Sequence, residues 1–130
     1  MLKHRINACE HWLKYLLSSP RFHLDSLSLD SLPKKDAVYR IAEKDAKWRT
    51  LYVGKANYLR TRIRQNLMGN RRVSPIKRKL IESGKFRSEK RVKQYLENDC
   101  FVQYLLVLDK RFRDILEHFI IAILNPEFND

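Results

Sequence analysis

The sequence predicts an α+β domain, a small three-stranded antiparallel sheet flanked by helices, with an extra N-terminal helix. Three observations support this fold class. Segments rich in β-branched and aromatic residues lie at 37–43, 48–54 and 101–108, and amphipathic helical segments surround them. Only a short polar turn at 44–47 separates the first two segments, which is the spacing of an antiparallel hairpin. The length of 130 residues and the hydrophobic content of 44% suit one ordinary core.

The first element is an amphipathic helix at residues 4–18. Residues 18–36 follow as a connector punctuated by Ser, Asp and Pro, whose leucines and Phe22 can still dock on the core. We therefore expect residues 1–35 to form an N-terminal helix and connector, and residues 36–130 to form the main domain. The apolar residues of the helix recur at helical spacing: Ile6, Cys9, Leu13, Leu16 and Leu17.

Three helical segments follow the hairpin. The first runs from a cap at Asn57 to about Leu67. The second occupies 74–84, with Ser at the cap, Pro at the first helical position and Gly just past the end. The third occupies 88–99. These segments predict a basic helical insertion at about 70–99.

The last two elements are the strand at 101–108 and a final helix at 110–124. The sequence NPEFN ends this helix, because the residue before a proline leaves the α region. The helix carries an apolar stripe that we expect to face the core: Phe112, Ile115, Leu116, Phe119, Ile120 and Ile123.

The positive charge of the chain is concentrated in one stretch. The formal net charge is +12, and residues 55–93 hold 14 Lys and Arg against 2 acidic residues, which accounts for the whole excess. Such a concentration is typical of a protein that binds a polyanion, here nucleic acid. A solvated helix face or a solubilising surface is the alternative. The residues that we expect to contact DNA are Lys55, Arg60, Arg64, Arg71, Arg72, Lys77, Arg78 and Lys79, with Arg87, Arg91 and Lys93 beside them.

The cysteine content and the apolar runs indicate a reduced, cytoplasmic protein. Cys9 and Cys100 are the two cysteines, and neither has a Cys or His at zinc-ligand spacing. His11 and Lys14 interrupt the first apolar segment, so it does not resemble a signal peptide. No run approaches the roughly 20 apolar residues of a membrane helix, and we expect no membrane association.

Four residues offer the groups that phosphodiester hydrolysis requires. A cation must neutralise the charge that builds on the phosphate oxygens, and a base must take a proton from water. One carboxylate can hold one Mg²⁺, which keeps several waters. Arginine can grip a phosphate with two hydrogen bonds, and a tyrosine hydroxyl can transfer a proton. Tyr39 and Tyr52 on the hairpin strands, Arg62 on the next helix and Glu117 in the most apolar stretch supply this set.

Each of these residues also has a simpler interpretation. Tyr39 and Tyr52 could be ordinary sheet aromatics, since tyrosine favours strands. Arg62 could be a surface residue or a plain phosphate contact. Glu117 could pair with Arg113 four residues earlier on the same helix.

The motifs in their order resemble the GIY-YIG nuclease family over about residues 36–129. The motifs are AVY at 37–39, YVG at 52–54, the arginine of KANYLRTRIRQNL, and the Glu and Asn of EHFIIAILNPEFN. The second motif, with Lys55 after it, is most similar to the UvrC-like branch. The resemblance implies a GIY-YIG-like fold and a divalent-metal-dependent DNA endonuclease with one Mg²⁺ or Mn²⁺ per active site.

The resemblance also implies a role for each matching residue. Tyr39 and Tyr52 would position and activate the attacking water. Arg62 would hold the scissile phosphate, Glu117 would bind the metal ion, and Asn129 would brace the site.

The sequence departs from the family pattern at two positions. Ala37 replaces the first glycine, and Asn66 stands where many members carry His or Tyr. Because asparagine is no general base, Tyr39, Tyr52 or a nearby histidine would take that role, or the activity would be low. A non-catalytic nucleic-acid-binding module that keeps the fold is therefore the alternative function. An N-terminal helix that docks a protein partner or a second copy is compatible with both.

Overall fold

Four strands form one antiparallel sheet: β1 (Phe22–His23), β2 (Ala37–Glu43), β3 (Thr50–Ala56) and β4 (Cys100–Leu106). Their order is β1-β4-β2-β3, so the hairpin strand β2 lies between β3 and β4. The computed structural model describes residues 2–45 and 49–129. The predicted turn at 44–47 lies only partly within them.

The α+β fold class is confirmed, with one strand more than expected. The strand β1 lies in the predicted connector, where Phe22 pairs with Val102 and His23 with Phe101. Two residues are too few to show the alternation that identifies a strand in a sequence.

Six helices surround the sheet in the described part of the chain. They are α1 (Leu2–Ser18), α2 (Ser26–Leu29), α3 (Leu59–Met68), α4 (Pro75–Glu82), α5 (Glu89–Asp99) and α6 (Lys110–Leu124). The bounds of five of them agree with the predicted segments to within a few residues, and the last helix coincides with its prediction. The short helix α2 was not predicted, because it lies in the segment expected to be a connector.

The predicted cap of α3 is wrong. The helix begins after Tyr58 and has no side-chain cap. Its first N–H groups are satisfied by the connector instead, because the N–H groups of Leu59 and Arg60 donate to the carbonyl oxygens of Lys35 and Pro33, each at 3.1 Å. Tertiary contact therefore replaces the local cap that a helix N-terminus otherwise needs.

The other long helices after the hairpin have local start signals. The side chains of Ser74, Ser88 and Asp109 each accept a hydrogen bond from a backbone N–H in the first turn of α4, α5 and α6. The helix α4 ends before Gly84, whose φ of +81° is a conformation that glycine adopts without strain. Of these caps, Ser74 is the one that the sequence predicts.

Helices cover both faces of the sheet. On one face α3, α4 and α5 bury a first core cluster that includes Tyr39, Ile41, Ile63, Leu80 and Leu96. The leucines at positions 24, 29 and 32 of the connector also belong to this cluster. Burial of this kind of apolar surface, at about 25 cal/mol per Å², is the main force that holds the helices on the sheet.

The opposite face carries α1 and α6. Their second core cluster includes Leu13 and Leu116, which pack with Val38 and Val53 of the hairpin. The predicted apolar stripe of α6 is one residue too long, because Ile123 at its end is 58% exposed.

The N-terminal helix is part of this core. Gln103 of β4 fixes its C-terminal end, because Nε2 donates to the carbonyl oxygens of Leu17 at 3.2 Å and Ser19 at 2.7 Å. A partner that docked on α1 would have to use its outer side, where Ile6 and Tyr15 are exposed.

Both cysteines are buried and have free thiols. Among the described residues, no helix combines the length and the apolar character that crossing a bilayer requires.

Candidate active site

Tyr39 and Gly54 face each other across the hairpin. They are register partners between β2 and β3, and Tyr52 pairs with Ile41 two residues along. A Cβ atom on residue 54 would lie 2.7 Å from the Oη atom of Tyr39 and 3.0 Å from the ring of Tyr52. The glycine of the YVG motif is therefore required because both phenol rings occupy the space over it. The ring centroids of the two tyrosines are 6.2 Å apart.

The hydroxyl of Tyr39 is buried and held by α3. Asn66 donates a hydrogen bond from Nδ2 to the Oη atom of Tyr39 at 3.0 Å. Burial raises the pKa of Tyr39 far above its usual value, and Tyr52 and the negative charge of Glu117 raise it further. The hydrogen bond from Asn66 and the positive charge of Arg62 lower it. The predicted site residues on β2, β3, α3 and α6 thus act on one phenol group.

Asn66 is fully enclosed at this point. It is 1% exposed, and its Oδ1 atom has no hydrogen-bond partner among the described residues. An unpaired buried acceptor costs free energy, and such groups in a folded protein call for an explanation such as a functional role or a bound water.

Arg62 lies one turn before Asn66 on the same helix and borders a cleft of about 410 Å³ between the first turns of α3 and α6. The side chain is partly buried, and its Nη1 atom contacts Oε1 of Gln65 at 3.5 Å. The cleft is also lined by Lys55, Lys110 and Arg113. Four cations therefore surround an open space of a size that a phosphate group can enter.

An ion pair joins β3 to α6 at the edge of this cleft. The Nζ atom of Lys55 donates to Oδ1 of Asp114 at 2.6 Å, and both side chains are partly exposed. Arg113 next to it is buried, donates to the carbonyl oxygen of Val107 at 2.9 Å and pairs with Asp36 at 3.2 Å. The predicted alternative that Arg113 serves as the partner of Glu117 is not what the structure contains.

Glu117 lies one turn after Asp114 on α6, with a side chain that is 14% exposed. Burial raises the pKa of its carboxyl group, and the positive charge of Lys55 opposes that shift. Among the described residues its ion-pair partner is His118, at 4.0 Å. A largely buried carboxylate with so little compensation is well suited to a cation.

The donor set fits a hard divalent ion. The described residues contain no cluster of three or more His, Cys, Asp or Glu side chains that could enclose a metal. Mg²⁺ needs no such cluster, because it usually keeps several waters and binds one or two carboxylates. Glu117 is the residue that would hold it.

Asn129 clamps the outer edge of β3. Its Oδ1 atom accepts from the backbone N–H of Val53, and its Nδ2 atom donates to the carbonyl oxygen of Val53, both at 2.8 Å. Val53 lies between Tyr52 and Gly54, and its backbone groups point away from β2. The side chain of Asn129 therefore takes the place of a neighbouring strand beside the two motif residues.

The predicted DNA contacts are in different environments. Arg60 donates from Nε to the carbonyl oxygen of Leu32 at 2.7 Å, so part of its hydrogen-bonding capacity holds the connector. Arg64 pairs with Asp30 at 2.8 Å. Arg71 pairs with Glu89 at 3.1 Å in the insertion.

Lys77 is the expectation that the structure contradicts. The residue is 3% exposed, and burial lowers the pKa of its ammonium group. It therefore has almost no surface with which to contact DNA. Arg72 is exposed, and Arg78 and Lys79 are partly exposed.

Sequence reasoning missed Asp114 as a part of the site and named Arg113 only as an alternative partner of Glu117. Asp114 precedes Glu117 by three residues, a spacing that places both on one helix face. That spacing was the available signal for Asp114. The contacts of Arg113 with Val107 and Asp36 depend on the packing of α6 against the sheet, which no sequence spacing reveals.

Solved structures of one nuclease domain are similar to this fold. The N-terminal GIY-YIG endonuclease domain of UvrC from Thermotoga maritima, bound to its catalytic magnesium, aligns with a TM-score of 0.50 and 20% identity over 78% of this chain and 91% of that domain. A tyrosine-to-phenylalanine variant of the same domain, bound to its catalytic divalent cation, aligns with a TM-score of 0.51 and 20% identity over 78% of this chain and 90% of that one.

No protein-family model matches the sequence, and no curated protein shows a significant match. The structural likeness is nevertheless consistent with the sequence motifs, the hairpin register and the position of the helices. The chain therefore has a GIY-YIG-like fold.

Proposed function

We propose that the protein is a divalent-metal-dependent endonuclease that hydrolyses phosphodiester bonds in DNA. The observation that carries the proposal is the packing of Tyr39 and Tyr52 over Gly54, where Asn66 of α3 holds the Tyr39 hydroxyl and Arg62 of the same helix lines a basic cleft. The fold supports it, since the similar UvrC domain is described as an endonuclease domain with a catalytic magnesium. The concentrated positive charge of residues 55–93 supports a nucleic-acid substrate.

Arg62 would hold the scissile phosphate in the cleft. Its planar guanidinium group can donate two parallel hydrogen bonds to phosphate oxygens, and its partial burial limits the orientations that it samples. Lys55 would add positive charge at the same edge once a phosphate competes with Asp114 for its ammonium group. Asn129 would hold β3 in place, so that Tyr52 and Gly54 keep their positions.

Glu117 would bind one Mg²⁺ or Mn²⁺ ion. Such an ion supplies a Lewis acid for a phosphate oxygen and lowers the pKa of a bound water. The carboxylate must be ionised to bind it, and the cation would offset the cost of burying that charge.

Tyr39 would orient the attacking water as a neutral phenol. Its raised pKa keeps the proton on Oη at neutral pH. Because Asn66 already donates to Oη, the hydroxyl proton of Tyr39 is directed to a different acceptor. Tyr52, which is less buried, is then the better candidate for the proton acceptor. It would take the proton of the water as a phenolate, or pass its own hydroxyl proton to solvent as it takes that proton. Asn66 has no acid–base role and fixes the orientation of Tyr39.

One observation favours a non-catalytic DNA-binding module as a second candidate. Asn66 is buried against Tyr39 at a position where the resemblance leads us to expect His or Tyr. A protein that had lost its catalytic base while it kept its basic surface would have this arrangement.

A cleavage assay separates the two candidates. Supercoiled, linear and branched DNA would be incubated with the protein in Mg²⁺, in Mn²⁺ and in EDTA, beside the variants Glu117→Ala and Arg62→Ala. We expect cleavage that requires metal and disappears in both variants, with DNA binding retained in Glu117→Ala. Binding without metal-dependent cleavage of any substrate would favour the non-catalytic module. Cleavage that survives Glu117→Ala would place the activity elsewhere.

A further inference from the structure

A second cavity lies in the helical insertion, away from the cleft at Arg62. It is open, has a volume of about 510 Å³ and lies between α5 and the loop that joins α4 to α5. Aromatic, basic, amide and acidic side chains line it together. None of its lining residues belongs to the proposed catalytic set.

An aromatic pair forms one wall of this cavity. The ring centroids of Phe86 and Tyr95 are 4.8 Å apart, with the ring planes at 40°. Both residues are partly buried, so each packs against the core and still lines the open space. The hydroxyl of Tyr95 donates to Oε1 of Glu43 at 2.5 Å, which fixes the ring on the end of β2. The cavity therefore offers a rigid aromatic surface.

Cations surround the aromatic pair. Lys85, Arg87 and Arg91 line the cavity and are exposed. The side chains of Arg87 and Arg91 make no hydrogen bond or ion pair with another described residue, whereas Lys93 on the same helix pairs with Glu97 at 3.5 Å. Two guanidinium groups are thus available to a phosphate beside an aromatic surface.

The remaining lining groups suit the edge of a nucleobase. The cavity is completed by Gln94, Asn98 and Asp99. Amide and carboxylate side chains form hydrogen bonds with the donors and acceptors on base edges. A stacking surface combined with basic groups is the arrangement by which proteins bind single-stranded nucleic acid.

We propose that this cavity binds one unpaired nucleotide of the DNA substrate, so that the protein acts on DNA with an interrupted duplex beside the cut. The inference rests on the proposed function. A base inside a duplex is stacked on its neighbours and cannot reach Phe86 and Tyr95, whereas a base in a gap, bulge or flap can.

The sheet connects this cavity to the catalytic residues. Glu43, which holds Tyr95, follows Tyr39 by four residues on β2, and the regular pairing of β2 with β4 places both on the same face. Four residues of strand span about 13 Å. That distance is about four nucleotides at the 3.4 Å spacing of one strand in duplex DNA. The unpaired nucleotide should therefore lie a few nucleotides from the cut.

A fluorescence experiment in EDTA tests the inference without cleavage. The probes are a duplex with one unpaired 2-aminopurine and a fully paired duplex of the same sequence. We expect tighter binding of the first, with quenching of 2-aminopurine as it stacks on the rings. The variant Phe86→Ala should weaken binding of the unpaired probe by about five- to a hundredfold, the range of base–aromatic stacking. It should leave binding of the paired probe nearly unchanged.

Two further variants keep the test independent of folding effects. Arg91→Ala removes an exposed cation from the cavity, and Lys90→Ala removes an exposed cation of the same helix that does not line it. We expect Arg91→Ala to lose the preference for the unpaired probe and Lys90→Ala to keep it.

Three outcomes are decisive against the inference. The inference would be overturned if the protein bound the two probes equally tightly, or if Arg91→Ala and Lys90→Ala lost the preference for the unpaired probe to the same extent. Either result would leave the endonuclease proposal intact. Failure to bind either probe would overturn both.

Discussion

The phenol of Tyr39 lies over Gly54 of the neighbouring strand, so close that a Cβ atom on residue 54 would be 2.7 Å from its Oη and 2.8 Å from its Cζ. Tyr39 is 1% exposed and belongs to the first core cluster, so its ring has little space in which to move away from an added Cβ atom. A motif glycine and a motif tyrosine from different strands are therefore parts of one packing arrangement.

The variant Gly54→Ala should displace Tyr39 and lose activity. Overpacking of a buried site usually costs about 1–3 kcal/mol of the free energy of unfolding, and we expect a loss in that range. Because the displaced hydroxyl also breaks its contact with Asn66, cleavage per folded molecule should fall as well. Denaturant unfolding and a cleavage assay on the same sample measure the two effects.

Gly84→Ala is the matched control. Residue 84 has a positive φ of 81°, and nothing lies within 4 Å of the added Cβ. We expect backbone strain of about 1 kcal/mol and unchanged cleavage per folded molecule. Equal activity losses in both variants would argue against the packing explanation.

The variant Glu117→Gln should abolish metal-dependent cleavage and stabilise the metal-free protein at neutral pH. A divalent cation contributes several kcal/mol to the transition state, so its loss should slow cleavage about a hundredfold or more. The stabilisation follows from the raised pKa of Glu117. The folded protein holds the carboxyl proton of Glu117 more tightly than the unfolded chain does. The free energy of unfolding therefore falls as the pH rises from the ordinary pKa of 4.5 through the raised pKa of the folded state.

Thermal unfolding across pH measures this effect. Gln does not ionise, so the variant should have the higher Tm at neutral pH. The difference should disappear below about pH 4, where the Glu117 carboxyl of the wild type is mostly protonated in both the folded and the unfolded state. Mg²⁺ should raise the Tm of the wild type and not that of the variant. An equal response of both proteins to Mg²⁺ would exclude Glu117 as the ligand.

The variant Asn129→Asp should loosen the edge of β3. Aspartate has nearly the same shape, but it removes the donor to the carbonyl oxygen of Val53 and places a charge beside it. We expect a loss of about 1–3 kcal/mol in unfolding free energy. Cleavage should also fall, because Tyr52 and Gly54 flank Val53.

Asn7→Asp makes the same change of charge at an exposed position of α1. It should alter stability by less than about 0.5 kcal/mol, as surface substitutions usually do. If the two variants unfold alike in urea, the hydrogen bonds of Asn129 with Val53 contribute nothing measurable to the free energy of unfolding.

Arg72 and Lys77 should differ in their contribution to DNA affinity. Each phosphate neutralised in B-DNA contributes about 0.9 to the slope of log K against log salt concentration. Arg72→Gln at an exposed position should therefore reduce the slope by about that amount. Lys77→Met should leave it unchanged, because Lys77 is 3% exposed. Fluorescence anisotropy over a salt series measures both slopes, and a change with Lys77→Met would mean that this side chain reaches DNA.

The elements that the sequence predicts well are those with local signals. Ser74 caps α4 through its own side chain, as the sequence predicts. Ser88 and Asp109 cap α5 and α6 in the same way, so these helices also begin at local signals. The start of α3 was misplaced because its N–H groups are satisfied by Lys35 and Pro33 of the connector, a contact that local sequence does not encode.

The candidate site shows the same division. The motif residues were visible because their spacing and order form a pattern. The structure packs Tyr39 and Tyr52 together over Gly54, and the charges of Arg62 and Glu117 act on the pKa of Tyr39. The ion pair of Lys55 with Asp114 was invisible because it joins residues 59 positions apart. The burial of Lys77 was missed because a charged residue in a basic stretch is usually exposed.

The order of strands in the sheet has a consequence for how the molecule folds. The strand β4 is the last of the four strands along the chain, yet it lies between β1 and β2 in the sheet. Residues 127 and 128, which follow α6, donate backbone hydrogen bonds to β3. Closure of the sheet therefore requires contacts between residues 57 to 80 positions apart, which are slow to form because loop entropy opposes them. We expect the hairpin and α3 to gain protection from hydrogen exchange before β4 and α6 during refolding. Catalytic competence would then appear only with the final long-range contacts, and partly folded chains would be unable to cut DNA.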